Sequence, residues 1–280
     1  MKIALKLIIL LFIEFAFFSS CQKVFSPMDN GGDSFVYDPD AKRFIDSSGI
    51  TDSIQKITIN HFVIQLKDSF LWTKFKAIYP MAGGTANTTK WNLKDPRNLD
   101  VAYRLTFNGS PVFASSGVLF PTTSDFADTH LADSAIGAYN DAAISYYSMT
   151  QNAISAYDMG CIEYGIPFNE FAIYHEFDVS VWFGYRSSFG IAPLNTKGLF
   201  MLSSTETDVK RFENGVVTDS KGSAPSPEFT NMPVLIGTVA AAPTAAQREC
   251  ALATIGNGLT DAQALTFYTI VKNFQTELGR

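Results

Sequence analysis

The sequence predicts an all-β fold: a two-sheet antiparallel jelly-roll β-sandwich with short N-terminal helices and a C-terminal amphipathic helix. Three observations point there. Short strand-like runs recur between turn residues through most of the chain, roughly every 8–12 residues, as in sandwiches. Gly198–Val217 reads as a meander, with Phe200 and Leu202 alternating against Met201 and Ser203, and Asn214-Gly215 as a tight hairpin turn. Helical periodicity is confined to the two ends of the domain. The 280 residues are 46% hydrophobic, 14% aromatic and 17% charged, a composition that builds a core rather than a disordered chain. A net charge of -6, with no basic run longer than two residues, gives nucleic acid no electrostatic footing.

The chain begins with Lys2 and Lys6, an apolar stretch over Ile8–Phe18, small Ser19-Ser20 and then Cys21. This is a secretory signal pattern, too short and wrongly flanked for a membrane span. It resembles a bacterial lipoprotein leader, which implies cleavage before Cys21 and lipid on its sulfur. The pattern departs from that leader in Phe18, where Leu is usual, and in Glu14, which interrupts the apolar run. Residues 1–20 are then a signal peptide and residues 21–37 a lipidated N-terminus and flexible tether. Pro27 and Gly31-Gly32 lie in that tether, and 38–280 is the folded domain. The expected address is the cell envelope, at the outer membrane or facing the periplasm, with the membrane as partner through the N-terminal lipid.

Asp38-Pro39 opens a helix over Ala41–Ser47, because Asp caps and Pro suits the first position. Thr51 caps a second, marked by Ile54, Ile57, Phe62 and Leu66. Phe70–Tyr79 is the first strand, Ala102–Phe107 the next, ending at a hairpin-type Asn108-Gly109, and Val112–Phe120 another, broken at Gly117. Thr122–Asp141 reads as a long polar loop with some helix. Ala143–Met149, Ala153–Met159, Phe171–Tyr185, Leu199–Ser204, Val234–Ile236 and Cys250–Ile255 read as strands, and Ser223–Pro227 as a linker. Thr260-Asp261-Ala262-Gln263 is a capping box ahead of a stripe of Ala264, Phe267, Val271, Phe274 and Leu278.

Three pieces in order carry a family resemblance: Lys210–Val217 around Asn214-Gly215, then Val234–Gly237, then Ala253–Gln263 with its Leu259-Thr260 step. Together they resemble the laminin-G-like branch of the concanavalin A-like lectin/glucanase superfamily. The stretch Ala77–Ala86, with Lys90–Pro96, is similar to uncharacterised phage-tail and bacterial surface proteins of that fold. The resemblance covers nearly all of 39–280 and implies a jelly roll whose concave face or rim loops hold glycans, at times with calcium. Its motifs are structural turns, and a fold alone does not fix an activity.

The chemistry legible in the residues is sparse. Glucanases of that superfamily place three carboxylates on one strand; here Glu176 and Asp178 match the first two and the third is missing. Retaining hydrolysis needs a pair about 5–5.5 Å apart, one acting as acid, so the catalytic set is incomplete. His175-Glu176 starts like a zinc-protease helix, but residue 179 is Val where the second His belongs. His61, His130 and His175 are scattered, and no nucleophile elbow, phosphate loop or dinucleotide fingerprint is present. No cofactor is implied, although Asp125, Asp128, Asp133 and Asp141 could offer oxygen ligands to calcium. Trp72, Trp91, Trp182, Tyr146, Tyr147 and Tyr185 are the aromatics able to stack on sugar. Tyr146 and Tyr147 must point to opposite sheet faces. Cys161 and Cys250 either form a disulfide, in an oxidising compartment, or remain two buried thiols.

These features converge on a lipid-anchored, non-catalytic envelope protein that binds a carbohydrate or another surface polymer. Glu176, Asp178, Trp91, Tyr146 and Tyr147 are its candidate contacts. A glycoside hydrolase or lyase of the same fold is one alternative; a structural or assembly module that binds a protein partner is the other.

Overall fold

A computed structural model describes residues 36–138, 140–163, 169–175, 181–182, 188–189, 195–222 and 231–280. Met1–Val36 and Tyr37–Arg280 are separate units, and the sheets and helices described belong to the second. Two helices open it. α1, Pro39–Ser48, is capped by the Asp38 carboxylate, which accepts from the Asp40 amide, and stops at left-handed Gly49. α2, Ser53–Asp68, is capped by Asp52 rather than Thr51: the Asp52 carboxylate accepts from the Gln55 amide three residues on.

The next elements are the strands β1 Phe75–Tyr79, β2 Thr106–Asn108, β3 Val112–Ala114, β4 Gly117–Leu119, β5 Phe126–Ala132, β6 Ala142–Ser148, β7 Ala156–Glu163 and β8 Asn169–His175. After them come β9 Val181–Trp182, β10 Ser188–Phe189, β11 Gly198–Ser204, β12 Asp208–Glu213, β13 Val216–Gly222, β14 Pro233–Ile236 and β15 Glu249–Gly256. The closing helix, α3, spans Asp261–Glu277. One sheet of eight strands runs β13-β12-β11-β6-β15-β4-β3, with β1 also on β15. β4 pairs the first residues of β15 and β1 the last, so the two share one of its edges. The second sheet runs β2-β5-β14-β7-β8, and β9 and β10 form a two-stranded ribbon. The pairings are antiparallel, and the all-β, two-sheet sandwich expected from the strand pattern is what the chain adopts.

Several predicted boundaries move. Phe70–Tyr79 is a strand only over Phe75–Tyr79, after a 3-10 turn at Trp72–Lys74. Thr122–Asp141 holds β5, not a loop. Ala127, Thr129 and Leu131 point inward while Asp128 and His130 point outward, so the polar half of a two-residue period disguised a strand. Ala102–Phe107 is mostly a 3-10 turn at Asp100–Ala102 and an irregular link, with only Thr106–Asn108 in the sheet. Asn108-Gly109 does turn the chain, but β2 pairs with β5 and β3 with β4. The turn therefore passes from one sheet to the other instead of closing a hairpin.

The meander matches its signal. β11 pairs with β12, and β12 with β13, across Asn214 at φ 51° and Gly215 at φ 78°. All seven residues of β11 are buried because both faces of the large sheet are covered. Phe200 and Leu202 enter the core between the sheets, with Tyr79, Tyr146, Ile255, Met159, Phe171 and Ile173. Leu199 and Met201 face the other way, into a second core under the helices with Ile78, Leu252, Phe62, Phe267 and Phe274. The helices thus form a third layer, joined by ring contacts of 4.5 Å for Phe62 with Phe274 and 4.9 Å for Phe75 with Phe267. The capping box of α3 is complete: Thr260 Oγ1 accepts from the Gln263 amide, and Gln263 Oε1 from the Thr260 amide. Arg280 closes the layer by donating to the carbonyls of Met81, Ser115 and Ala251.

The Asn214-Gly215 turn lies beneath α3. A Cβ on Gly215 would stand 2.8 Å from Tyr268 Cβ and 3.0 Å from Leu265 Cα. Gly215→Ala therefore adds both a clash and a strained positive φ, and chemical denaturation is expected to show a loss of about 2–3 kcal/mol.

Candidate functional site

The predicted contacts differ in how open they are. Tyr146 is fully buried between the sheets, its hydroxyl donating to the Arg248 carbonyl at 2.8 Å. Burial pushes its phenol well above the ordinary range. Tyr147 points to the opposite face, as alternation requires, but that face is roofed by helices and Tyr147 is half-buried there. Trp91 also packs against the helical layer; its Nε1 donates to the Asn87 carbonyl at 2.7 Å, and Lys90 Nζ sits 5.0 Å from its ring. Glu176 and Asp178 lie outside the described residues, as do Cys21 and the side chain of Trp182. Cys161, on the five-stranded sheet, and Cys250, on the eight-stranded one, are buried free thiols.

The four aspartates considered for calcium are spent elsewhere. Asp125 accepts from the Ser110 and Thr122 amides, Asp133 from those of Ser134 and Met232, and Asp128 from that of His130. Asp141 accepts from the Gly258 amide and from Asn257 Nδ2. Among the described residues no three His, Cys, Asp or Glu side chains converge as a metal would need.

Between the sheets lies a charged network that no local sequence signal announced. Arg248, fully buried just before β15, donates from Nε to Asp158 Oδ1, from Nη1 to Asn152 Oδ1 and the Ile154 carbonyl, and from Nη2 to the Ala156 carbonyl, at 2.8–3.1 Å. Asp158 Oδ2 in turn stands 2.6 Å from His175 Nδ1, and the His175 ring meets Phe200 edge-on at 4.5 Å. Burial alone would raise the Asp158 carboxyl, but Arg248 and His175 bring it below the usual range. Burial lowers His175, opposed by Asp158, so the imidazole is neutral and its Nδ1–H donates to the carboxylate.

The candidate site is an open groove of about 540 Å³ at the turn end of the β11–β12 hairpin, against the start of α3. Thr205, Glu206, Thr207, Asp208 and Lys210 line one wall, and Leu259 to Ala262 the other. The turn holds its shape through Thr205, whose amide donates to the Asp208 carbonyl at 2.8 Å and whose hydroxyl donates to Asp208 Oδ1 at 2.9 Å. The second wall is stitched to β11: the Leu259 amide donates to Ser203 Oγ, and that hydroxyl to the Leu259 carbonyl. Lys210 alternates outward on β12 and spans the gap, 2.8 Å from Asp261 Oδ1 and 3.2 Å from Asp208 Oδ2. The hydrogen bond to Asp261 comes first in raising the Lys210 ammonium, against slight burial. Asp261 is largely exposed, so that ion pair contributes about 0–1 kcal/mol to the fold. The site is thus a pre-shaped recess of hydroxyls and carboxylates around one ammonium. Its acceptors suit the hydroxyl donors of a polyol, and its Lys and Thr groups suit polyol oxygens.

No family model matches the chain, and no curated protein does. Among solved structures it is similar to domain 4 of AbnA, an extracellular GH43 arabinanase from Geobacillus stearothermophilus, in complex with arabinotriose. That likeness has 15% identity and a TM-score of 0.47, covering 69% of this chain and 98% of that one. It is also similar to a Trypanosoma rangeli sialidase in complex with sialic acid, with 10% identity, TM-score 0.48, and 69% of this chain against 32% of that one. A third likeness is to the botulinum neurotoxin serotype G binding domain, with 10% identity, TM-score 0.44, and 70% against 51%. The chain therefore matches under two thirds of the sialidase and of the toxin domain.

Two outcomes are expected of the buried network. Arg248→Ala leaves the Asp158 carboxylate buried without its cation and is expected to cost about 3–5 kcal/mol in a denaturant titration. His175 and Asp158 are both depressed in the fold. Their contributions are complete above the unfolded values, about 6.5 and 3.9, and decline as pH falls below each. The melting temperature should therefore drop between pH 7.5 and 5.5, and His175→Gln should flatten that slope.

Proposed function

We propose that this chain is a lipid-anchored protein of the bacterial cell envelope whose sandwich binds a carbohydrate, or another hydroxyl-rich surface polymer, without cleaving it. The observation that carries the binding half is the groove between Thr205–Lys210 and Leu259–Ala262: open, rigidly stitched, and lined by side chains that exchange hydrogen bonds with polyols. The helical layer covers the outer face of β11 and its inner neighbours, and the groove lies at the rim beside it. The resemblance carried by Asn214-Gly215, Val234–Gly237 and Leu259-Thr260 supports the glycan reading through the fold alone. The leader ending in Cys21 supports the anchor, and the missing third carboxylate after Glu176 and Asp178 supports binding without hydrolysis. Among the described residues no helix is long and apolar enough to cross a membrane.

Calorimetry against a panel of envelope and plant oligosaccharides tests this. A ligand should bind with its chain length unchanged on chromatography after long incubation. Glu206→Ala with Asp261→Ala should weaken it about tenfold or more, the worth of lost hydrogen bonds to charged groups. A panel without a single ligand sinks the binding half; shortened oligosaccharides sink the non-catalytic half.

A further inference from the structure

α2 carries apolar residues on two faces. Ile59, Phe62, Val63 and Leu66 are buried against the domain. Ile54, Ile57 and Ile64 form a second stripe with His61 at intervals of three and four residues, 61%, 36% and 37% exposed. Phe70, two residues past the helix, is 84% exposed. β-Branched residues are poor helix formers, so three on a wetted face are not there for helix propensity. The same helix receives the start of the domain. The Asp38 amide donates to Asn60 Oδ1 at 2.7 Å, and Lys67 Nζ donates to both Asp38 oxygens at 2.7 and 2.9 Å.

We infer that this outer face of α2, with Phe70, rests on the lipid bilayer that holds the N-terminal anchor. This rests on the anchor proposed above and adds the orientation of the domain on its membrane. Fourteen residues, 22–35, separate Cys21 from Val36, and any chain of that length spans at most about 50 Å. The segment that leads to the anchor therefore leaves from the helix that bears the stripe, within easy reach of the bilayer. A second copy of the chain is the poorer occupant. One file of three isoleucines falls far short of the roughly 800 Å² per partner of a stable interface, whereas on a membrane the lipid supplies the affinity and the stripe need only orient. Charge gives anionic lipid no purchase: Lys56 stands against Asp52 and Asp68, Lys67 is already paired with Asp38 and Asp40, and His61 within the stripe is paired with Glu277 of α3 at 2.9 Å. The isoleucines and Phe70 make the contact, with no demand for anionic lipid.

The test uses the full lipidated chain in phosphatidylcholine vesicles containing brominated acyl chains. A fluorophore is placed at Ile57→Cys or, for comparison, at Ser134→Cys beyond the five-stranded sheet; the native Cys161 and Cys250 are buried. Emission at position 57 should be quenched at least twofold and at 134 hardly at all. Ile54→Ser with Ile64→Ser should relieve the quenching while the melting temperature and vesicle flotation stay unchanged. Added phosphatidylglycerol should make no difference. Equal quenching at both positions, none at 57, or quenching only with anionic lipid overturns the docking while the anchor stands. The mass of the N-terminal peptide reports separately: an unacylated Cys21 overturns the anchor and the docking with it.

Discussion

The guanidinium of Arg248 is the contact on which the sandwich depends. It sits just before β15, an inner strand of the large sheet, and its partners Asp158, Ile154 and Ala156 belong to β7 or the segment leading to it. His175 extends the chain of contacts to β8, and the Tyr146 hydroxyl ties the Arg248 carbonyl to β6. A buried ion pair contributes little net stability over a well-packed apolar substitute, because desolvating both charges offsets their attraction. Its effect is on uniqueness. Apolar faces such as those of β11 and β15 tolerate some sliding, whereas a shifted register would strand Asp158 or Arg248 in a medium of low dielectric without a counter-charge.

The helical layer sets where chemistry can occur. Both faces of β11 are buried, and Leu199, Met201 and Leu252 lie under α2 and α3. Tyr147 and Trp91 pack against that layer, each partly buried. At the rim of the large sheet the β11–β12 turn and the cap of α3 meet around an open groove. The same bonds that end the strand and start the helix, through Ser203, Leu259 and Thr260, also shape the groove walls. Site and fold thus share residues, and the recess is formed before any ligand arrives.

The elements legible from sequence were those whose cause is local. Asn214-Gly215 needs positive φ at two neighbouring positions, Thr260 and Gln263 satisfy each other's amides within one turn, and Asp38-Pro39 suits a helix start by its own geometry. The misreadings arose where distant residues decide. β5 is a strand because β2 and β14 flank it, and its outward Asp128 and His130 look like loop residues until those neighbours are present. Asn108-Gly109 carries the same turn signal as Asn214-Gly215, yet it links different sheets, since a turn dipeptide specifies bond angles and not the partner of the strand that follows. The candidate site was less legible. Lys210 and Asp261 are 51 residues apart and ordinary by themselves, and only the docking of α3 brings them to 2.8 Å.

By itself, then, the sequence determined the all-β class, the meander and the capped closing helix, each a matter of backbone preference over a few residues. Its leader pattern and lectin-like motifs also set the terms of the functional proposal. Tertiary structure alone decided which faces are covered, that Tyr146 spends its hydroxyl on a core carbonyl, that Arg248 joins the sheets, and that the open recess lies at Thr205–Lys210. The physical reason is the same in each case. Burial and pairing of polar groups depend on segments far apart in the chain, and their free energies exist only once those segments meet.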